Sequence, residues 1–214
     1  MAETLLPETP LAEETRGIAR SASIIALGNV ASRVVGLLRE TVMAGLFGAG
    51  AHVDALTLAL TIPVQIYDLV TGGLVSSALV PVFSEFTPVE RRAELWRLAS
   101  ILLTLATIGV SLFVALLVLF TPQVVAVFAA LGQGRNPEAM ALAAPLLRLT
   151  LPAVVFLSLS GILSSLLYAL KRFTLPAFTA AIFNAGMVVV ALVLARRLGV
   201  AAMALGLLAG AALQ

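Results

Sequence analysis

Charged and polar side chains stand at helical spacing inside stretches of this chain long and apolar enough to cross a bilayer. The run from Ser21 to Phe47 holds Asn29, Arg33, Arg39 and Glu40. Asn29, Arg33, Gly36 and Glu40 follow at spacings of 4, 3 and 4, which puts them on one helical face. Arg39 points about 120° away from Arg33 on an ideal helix, so one helix offers guanidinium groups in two directions. A second stripe begins at Asp54 and continues through Thr57, Thr61, Gln65, Asp68, Gly72 and Ser76, at spacings of 3, 4, 4, 3, 4 and 4. A charge at bilayer depth costs roughly 2.5–3.5 kcal/mol on insertion scales, so such residues face a bundle interior or a watery cavity. Guanidinium forks match phosphate oxygens bidentately and keep their charge at any depth. Asp54, just past a glycine turn, is placed to partner Arg39 or Arg33. The chemistry is that of a polar pathway able to hold an anion within a membrane. Thr57, Thr61, Gly72 and Ser76 would also serve helix packing; Gln65 and Asp68 fit packing poorly.

The elements that must carry these residues are membrane helices. The chain is 61% hydrophobic and 11% charged, against roughly 25% charged in soluble domains. Leu98–Phe120, Leu149–Leu170 and Phe173–Ala195 carry no charge, and each exceeds the roughly 20 residues that cross a bilayer as a helix. With the two striped segments and the apolar Leu198–Gln214, the pattern predicts an all-α integral membrane protein with about six spans, near residues 17–47, 53–86, 98–120, 141–170, 174–195 and 198–214. Residues 1–16, with four glutamates and two prolines, read as a disordered tail. Pro63, Pro81, Pro145, Pro152 and the Gly72-Gly73 pair are bend points. Pro122–Leu131 is apolar but short, as expected of an interfacial helix, and Trp96 suits an interfacial anchor. With a cytoplasmic N-terminus, seven Lys/Arg fall in inner loops against four in outer ones, Arg196-Arg197 being the contrary pair.

The net charge of +2 does not indicate nucleic acid, because the basic residues cluster at span ends and no basic run interleaves with aromatics. Cysteine is absent, which excludes disulfides and thiolate sites. His52, the only histidine, reads as a solvated loop residue with no second ligand for a metal set. Asp54 and Asp68 are fourteen residues apart in the sequence, about 21 Å along a straight helix, too far to act as one acid–base pair. No nucleotide-phosphate loop or histidine triad is present, so no enzyme is expected. Ser158, Gly161 and Ser165, and Gly206 with Gly210, read as packing faces, and Asn184 as an interhelical hydrogen bond.

Three segments carry a family resemblance. The run Ala31-Ser32-Arg33-Val34-Val35-Gly36-Leu37-Leu38-Arg39-Glu40, followed by Phe47-Gly48-Ala49-Gly50 and Asp54-Ala55, resembles the opening of the MurJ (MviN) lipid II flippases. Ala78-Leu79-Val80-Pro81-Val82-Phe83-Ser84-Glu85-Phe86 is similar to the end of their second helix, and Arg172-Phe173-Thr174-Leu175-Pro176-Ala177-Phe178 with Asn184 to the start of their fifth. The resemblance implies one lobe of a two-lobe, MATE-like transporter in a bacterial inner membrane, completed by a C-terminal lobe. It implies a lipid-linked diphosphate substrate moved between leaflets by alternating access, with membrane lipids as surroundings and no cofactor beyond a coupling cation of unknown identity. Arg33, Arg39 and Asp54 match positions important for transport. Asn29, Glu40, Thr57, Thr61, Gln65, Asp68 and Ser76 would line the cavity. Tyr67-Asp68 departs from the family, which places two adjacent arginines there, and Gly72 replaces a family glutamate. Two alternatives therefore stay open: a MATE-like or polysaccharide-lipid exporter, and a non-transporting membrane scaffold.

Overall fold

The computed structural model of the chain describes residues 10–48, 50–70, 72–131 and 137–214, with side chains for all of these except 10–16, 18, 70, 72–76 and 137. In order, the helices are α1 (Pro10–Phe47), α2 (Ala51–Val70), α3 (Gly72–Glu85), α4 (Arg92–Leu119), α5 (Thr121–Ala130), α6 (Pro137–Thr150), α7 (Ala153–Ala169), α8 (Thr174–Leu198) and α9 (Ala201–Leu213). A short 3₁₀ turn at Val89–Arg91 leads into α4.

Three stretches, Ala19–Phe47, Val89–Leu119 and Thr174–Leu198, are long and apolar enough to cross a membrane singly. α6 and α7, which meet at 47°, are long and apolar enough to make a fourth when taken together. The bend lies at Leu151-Pro152: Pro152 has no N–H, and the backbone there switches to shorter-range bonds from Val154 N to Leu151 O and from Val155 N to Pro152 O. The expected second span is covered by α2 and α3, with the Gly72-Gly73 pair in the first turn of α3. α5 covers the expected interfacial segment. Residues 10–16, expected as part of a disordered tail, are helical. His52 is exposed in the first turn of α2 rather than in a loop.

Three apolar clusters hold the bundle. One joins α2 to α5, α6 and the end of α4, through Ala55, Ala59, Ile62, Ile66, Val125, Leu147 and Leu151. A second packs Leu56 against Met187, Met203 and Leu207, with Met43 and Phe47 at the end of α1 touching it. The third sets Phe83 among Leu95, Ile162 and Leu166. Where two helices cross closely, the residues are small. A side-chain carbon on Gly206 would meet the Met187 carbonyl at 2.9 Å, and one on Gly210 would run into that of Phe183, so α8 and α9 pack backbone to backbone. Gly28 gives α1 the same approach to Ala177 of α8, and these two helices run parallel.

Pro63 lies inside α2 and deprives the Ala59 carbonyl of its usual donor four residues on. Thr150, fully buried on the last turn of α6, fills that vacancy: its hydroxyl donates to Ala59 O at 2.7 Å. A carbonyl in hydrocarbon must find a partner inside the protein, so this bond fixes α2 against α6 at the kink. Thr150→Val keeps the shape and deletes the donor. It is expected to cost about 1–3 kcal/mol, read as a lower Tm in detergent-solubilised protein, whereas Thr150→Ser should keep most of the stability.

Candidate functional site

The turn between α1 and α2 is made by Gly48 (φ 68°) and Gly50 (φ 140°), backbone conformations that glycine adopts at no steric cost. Beyond it the two helices separate. α1 lies along α8 and α2 along α6 and α7, with little contact between α1 and α2 themselves. A wedge therefore opens between them, closed at the glycine end.

The buried face of α2 is Ala55, Leu56, Leu58, Ala59, Ile62 and Ile66. The polar stripe lies on the opposite face: Asp54, Thr57 and Asp68 are exposed, and Thr61 and Gln65 are half-buried. Gly72 and Ser76 fall on α3, and their side-chain positions lie outside the described residues. The Thr57 hydroxyl donates to Val53 O of its own helix at 2.9 Å, so it does not bridge to another helix.

On α1, Asn29, Arg33 and Glu40 are exposed and Arg39 is partly covered. Arg39 lies 3.7 Å from Glu40, whose side chain is 64% exposed, a loose pair of small energetic value. Among the described residues, neither Arg33 nor Arg39 is ion-paired to Asp54, contrary to the expected partnership. The two helices carrying them have parted before the side chains can meet. Arg33 and the α2 carboxylates remain open to a ligand.

The character of the exposed faces separates two surroundings. The outer face of α4 presents Ile101, Leu105, Ile108, Leu112, Leu116 and Leu119, an apolar row suited to lipid. The exposed face of α2 instead presents two carboxylates and a hydroxyl. Such a face is unstable against hydrocarbon and stable against water. On α1 the exposed groups mix Leu27, Val30, Val34, Leu37 and Leu38 with Asn29, Arg33 and Glu40, as on a helix that borders both.

Asp68 also lines a cavity of about 370 Å³ with Tyr67, Ser160, Ser164, Tyr168 and Thr179. The sequence reading missed these companions, although Ser160, Ser164 and Tyr168 stand four residues apart on one face of α7. Asn184 differs from expectation. It is buried beside Gly36, its Nδ2 donates to Ala180 O within α8 at 2.9 Å, and its Oδ1 has no partner among the described residues. Ser158 and Ser165 are buried as packing residues. No group of three metal-type ligands occurs among the described residues.

Residues 43–214 match the family model described as lipid II flippase MurJ. The chain belongs to this family. It is 31% identical over 185 residues to the lipid II flippase MurJ of Burkholderia cenocepacia, covering 86% of this chain and 36% of that protein. It is 29% identical over 197 residues to the lipid II flippase MurJ of Thermosipho africanus, covering 91% and 39%. A solved structure titled lipid II flippase MurJ, inward closed conformation, superposes with a TM-score of 0.73 at 28% identity, over 88% of this chain and 39% of that one. The chain thus spans somewhat over a third of the length of these MurJ proteins. The family model begins at Met43, so it includes the whole α2 stripe and leaves out Arg33 and Arg39.

The absence of cysteine makes the two surroundings directly testable. A Thr57→Cys variant should react with a membrane-impermeant maleimide in intact membranes. A Leu112→Cys variant, at a site 64% exposed on α4, should react at least about tenfold more slowly, because a thiol in hydrocarbon stays protonated and out of reach of the reagent. Equal labelling would mean that α2 and α4 face the same medium.

Proposed function

We propose that residues 17–214 form the N-terminal lobe of a flippase that moves lipid II, a lipid-linked diphosphate, across a bacterial inner membrane by alternating access. The observation that carries this reading is the polar exposed face of α2, with Arg33 exposed on α1 across the wedge. Arg33 and Arg39 hold the diphosphate through charge-assisted bonds. Asp54, near the closed end, orients or gates rather than pairing with them. Asn29, Glu40, Thr57, Thr61, Gln65, Asp68 and Ser76 line the path. A C-terminal lobe supplies the other wall, and a coupling cation is an open element of the mechanism. The N-terminus is cytoplasmic, a reading supported by the Lys/Arg balance and by Arg92 and Arg172 lining one pocket at the same end of the bundle.

Transport is carried by position and electrostatics, with no bond made or broken. A diphosphate entering the wedge meets a guanidinium that has no ion partner among the described residues, so binding breaks no existing pair. Asp68, by contrast, would repel a diphosphate placed close to it. Its surroundings of hydroxyls and phenols favour a second reading, an exporter that binds a cation or a less anionic head group at this point.

Complementation tests the two readings. The full-length gene is expected to rescue growth of a bacterium depleted of its own lipid II flippase. Arg33→Ala should abolish rescue at equal membrane expression, and Arg33→Lys should retain part of it. Failure of the well-expressed parent, together with rescue by Asp68→Arg, would instead assign the native chain to a different lipid.

A further inference from the structure

At the end of the bundle where α4 begins and α7 gives way to α8, a pocket of about 340 Å³ is lined by Arg92, Leu95, Trp96, Leu167, Leu170 and Arg172. It lies on different helices from the wedge between α1 and α2. We infer that this pocket is a head-group site for an anionic glycerophospholipid held on the lobe's outer surface. The inference rests on the membrane reading above but not on the substrate assignment.

Its construction separates two arginines from the acids around them. Arg91 takes up Glu94, with Nη2 to Oε2 at 3.0 Å, donates to the Glu85 carbonyl, and stacks its guanidinium 4.2 Å from the Phe86 ring centre. Arg92 and Arg172 are left with no acidic partner among the described residues, and both line the pocket. Arg172 is set in place by the backbone: Lys171 adopts φ 57°, and the N–H groups of Lys171 and Arg172 return to the carbonyls of Tyr168 and Leu167. That is the helix-ending motif in which a left-handed residue satisfies the last carbonyls. Arg92 starts α4, so the positive end of the helix dipole adds to its charge.

Two free guanidiniums over an apolar floor match a phosphate diester with acyl chains below it. The floor continues in the right direction. Trp96, Leu167 and Leu170 are shared with an apolar groove of about 520 Å³ running along α7 and α8, whose walls include Phe156, Leu163 and Leu175. Trp96, 55% exposed, sits at the junction, where an indole bridges head group and chain.

Trp96 is also the chain's single tryptophan and reports on its own site. The 214-residue chain would be reconstituted in phosphatidylcholine vesicles containing a small fraction of phosphatidylglycerol. Fluorescence quenching would then be compared when either lipid carries brominated acyl chains. Brominated phosphatidylglycerol should quench about fivefold more strongly, per mole fraction, for each arginine engaged. Arg92→Gln/Arg172→Gln should abolish that preference while leaving quenching by brominated phosphatidylcholine unchanged. Equal quenching by the two lipids, or a preference surviving in the double variant, would overturn the site. So would displacement of brominated phosphatidylglycerol by an equimolar polyprenyl diphosphate, which would make the pocket a substrate site. Loss of rescue by the full-length Arg33→Ala gene, with the lipid preference intact in the 214-residue Arg33→Ala chain, would show that the two sites are independent.

Discussion

One hydrogen bond sets the position of the polar helix. Pro63 interrupts the ladder of α2 and leaves the Ala59 carbonyl without a donor inside its own helix. In water such a group would be solvated. At bilayer depth it must be paired within the protein. Thr150 supplies the donor from a neighbouring helix, and it does so at the last turn of α6, one residue before the Leu151-Pro152 bend. Two proline-induced distortions are thereby joined, and the apolar cluster around Ile62, Leu147 and Leu151 closes over them. With its inner face committed in this way, α2 has no choice about its outer face. Asp54, Thr57 and Asp68 are turned away from the core.

The rest of the lobe depends on close approach between backbones. Lipid tails are as apolar as leucine, so burying leucine between membrane helices yields little, and packing must come from contact. Gly28 at the α1–α8 crossing, with Gly206 and Gly210 at the α8–α9 crossing, permits that contact. The cores of α7 and α9 are accordingly built from alanine, glycine and buried serine as much as from larger residues. α1 is the exception. It rests on α8 along one side, and Met43 and Phe47 near its end pack against the second cluster, while much of its described surface, including Arg33, is exposed.

Much of this was legible in the chain itself. The spacing of Asp54, Thr57, Thr61, Gln65 and Asp68 required one helical face, and they share one. The bend points were marked by proline and glycine, although the sharp bend chose Pro152 over Pro145. Gly206 and Gly210 announced the α8–α9 crossing, whereas Gly28 at the α1–α8 crossing was not singled out. Asn184 was misread because an amide in a helix has two routes to satisfaction, across to a neighbour or back to its own carbonyl four residues earlier. Residue type does not distinguish them. The expected Asp54–arginine pairing failed for a similar reason: proximity in sequence across a turn says nothing about how fast two helices part after it. The companions of Asp68 on α7 and α8 were hidden because they come from segments some ninety residues or more away.

The sequence by itself determined that this chain belongs in a membrane, which segments are helical, and which residues share a face. Those properties depend on composition and on a period of 3.6, both local. Which face meets lipid, which meets water and which meets another helix was decided only by tertiary structure. Apolar rows on α2 and α4 look alike in the sequence, yet one is buried and the other lies outside, because burial depends on where the neighbouring helices come to rest.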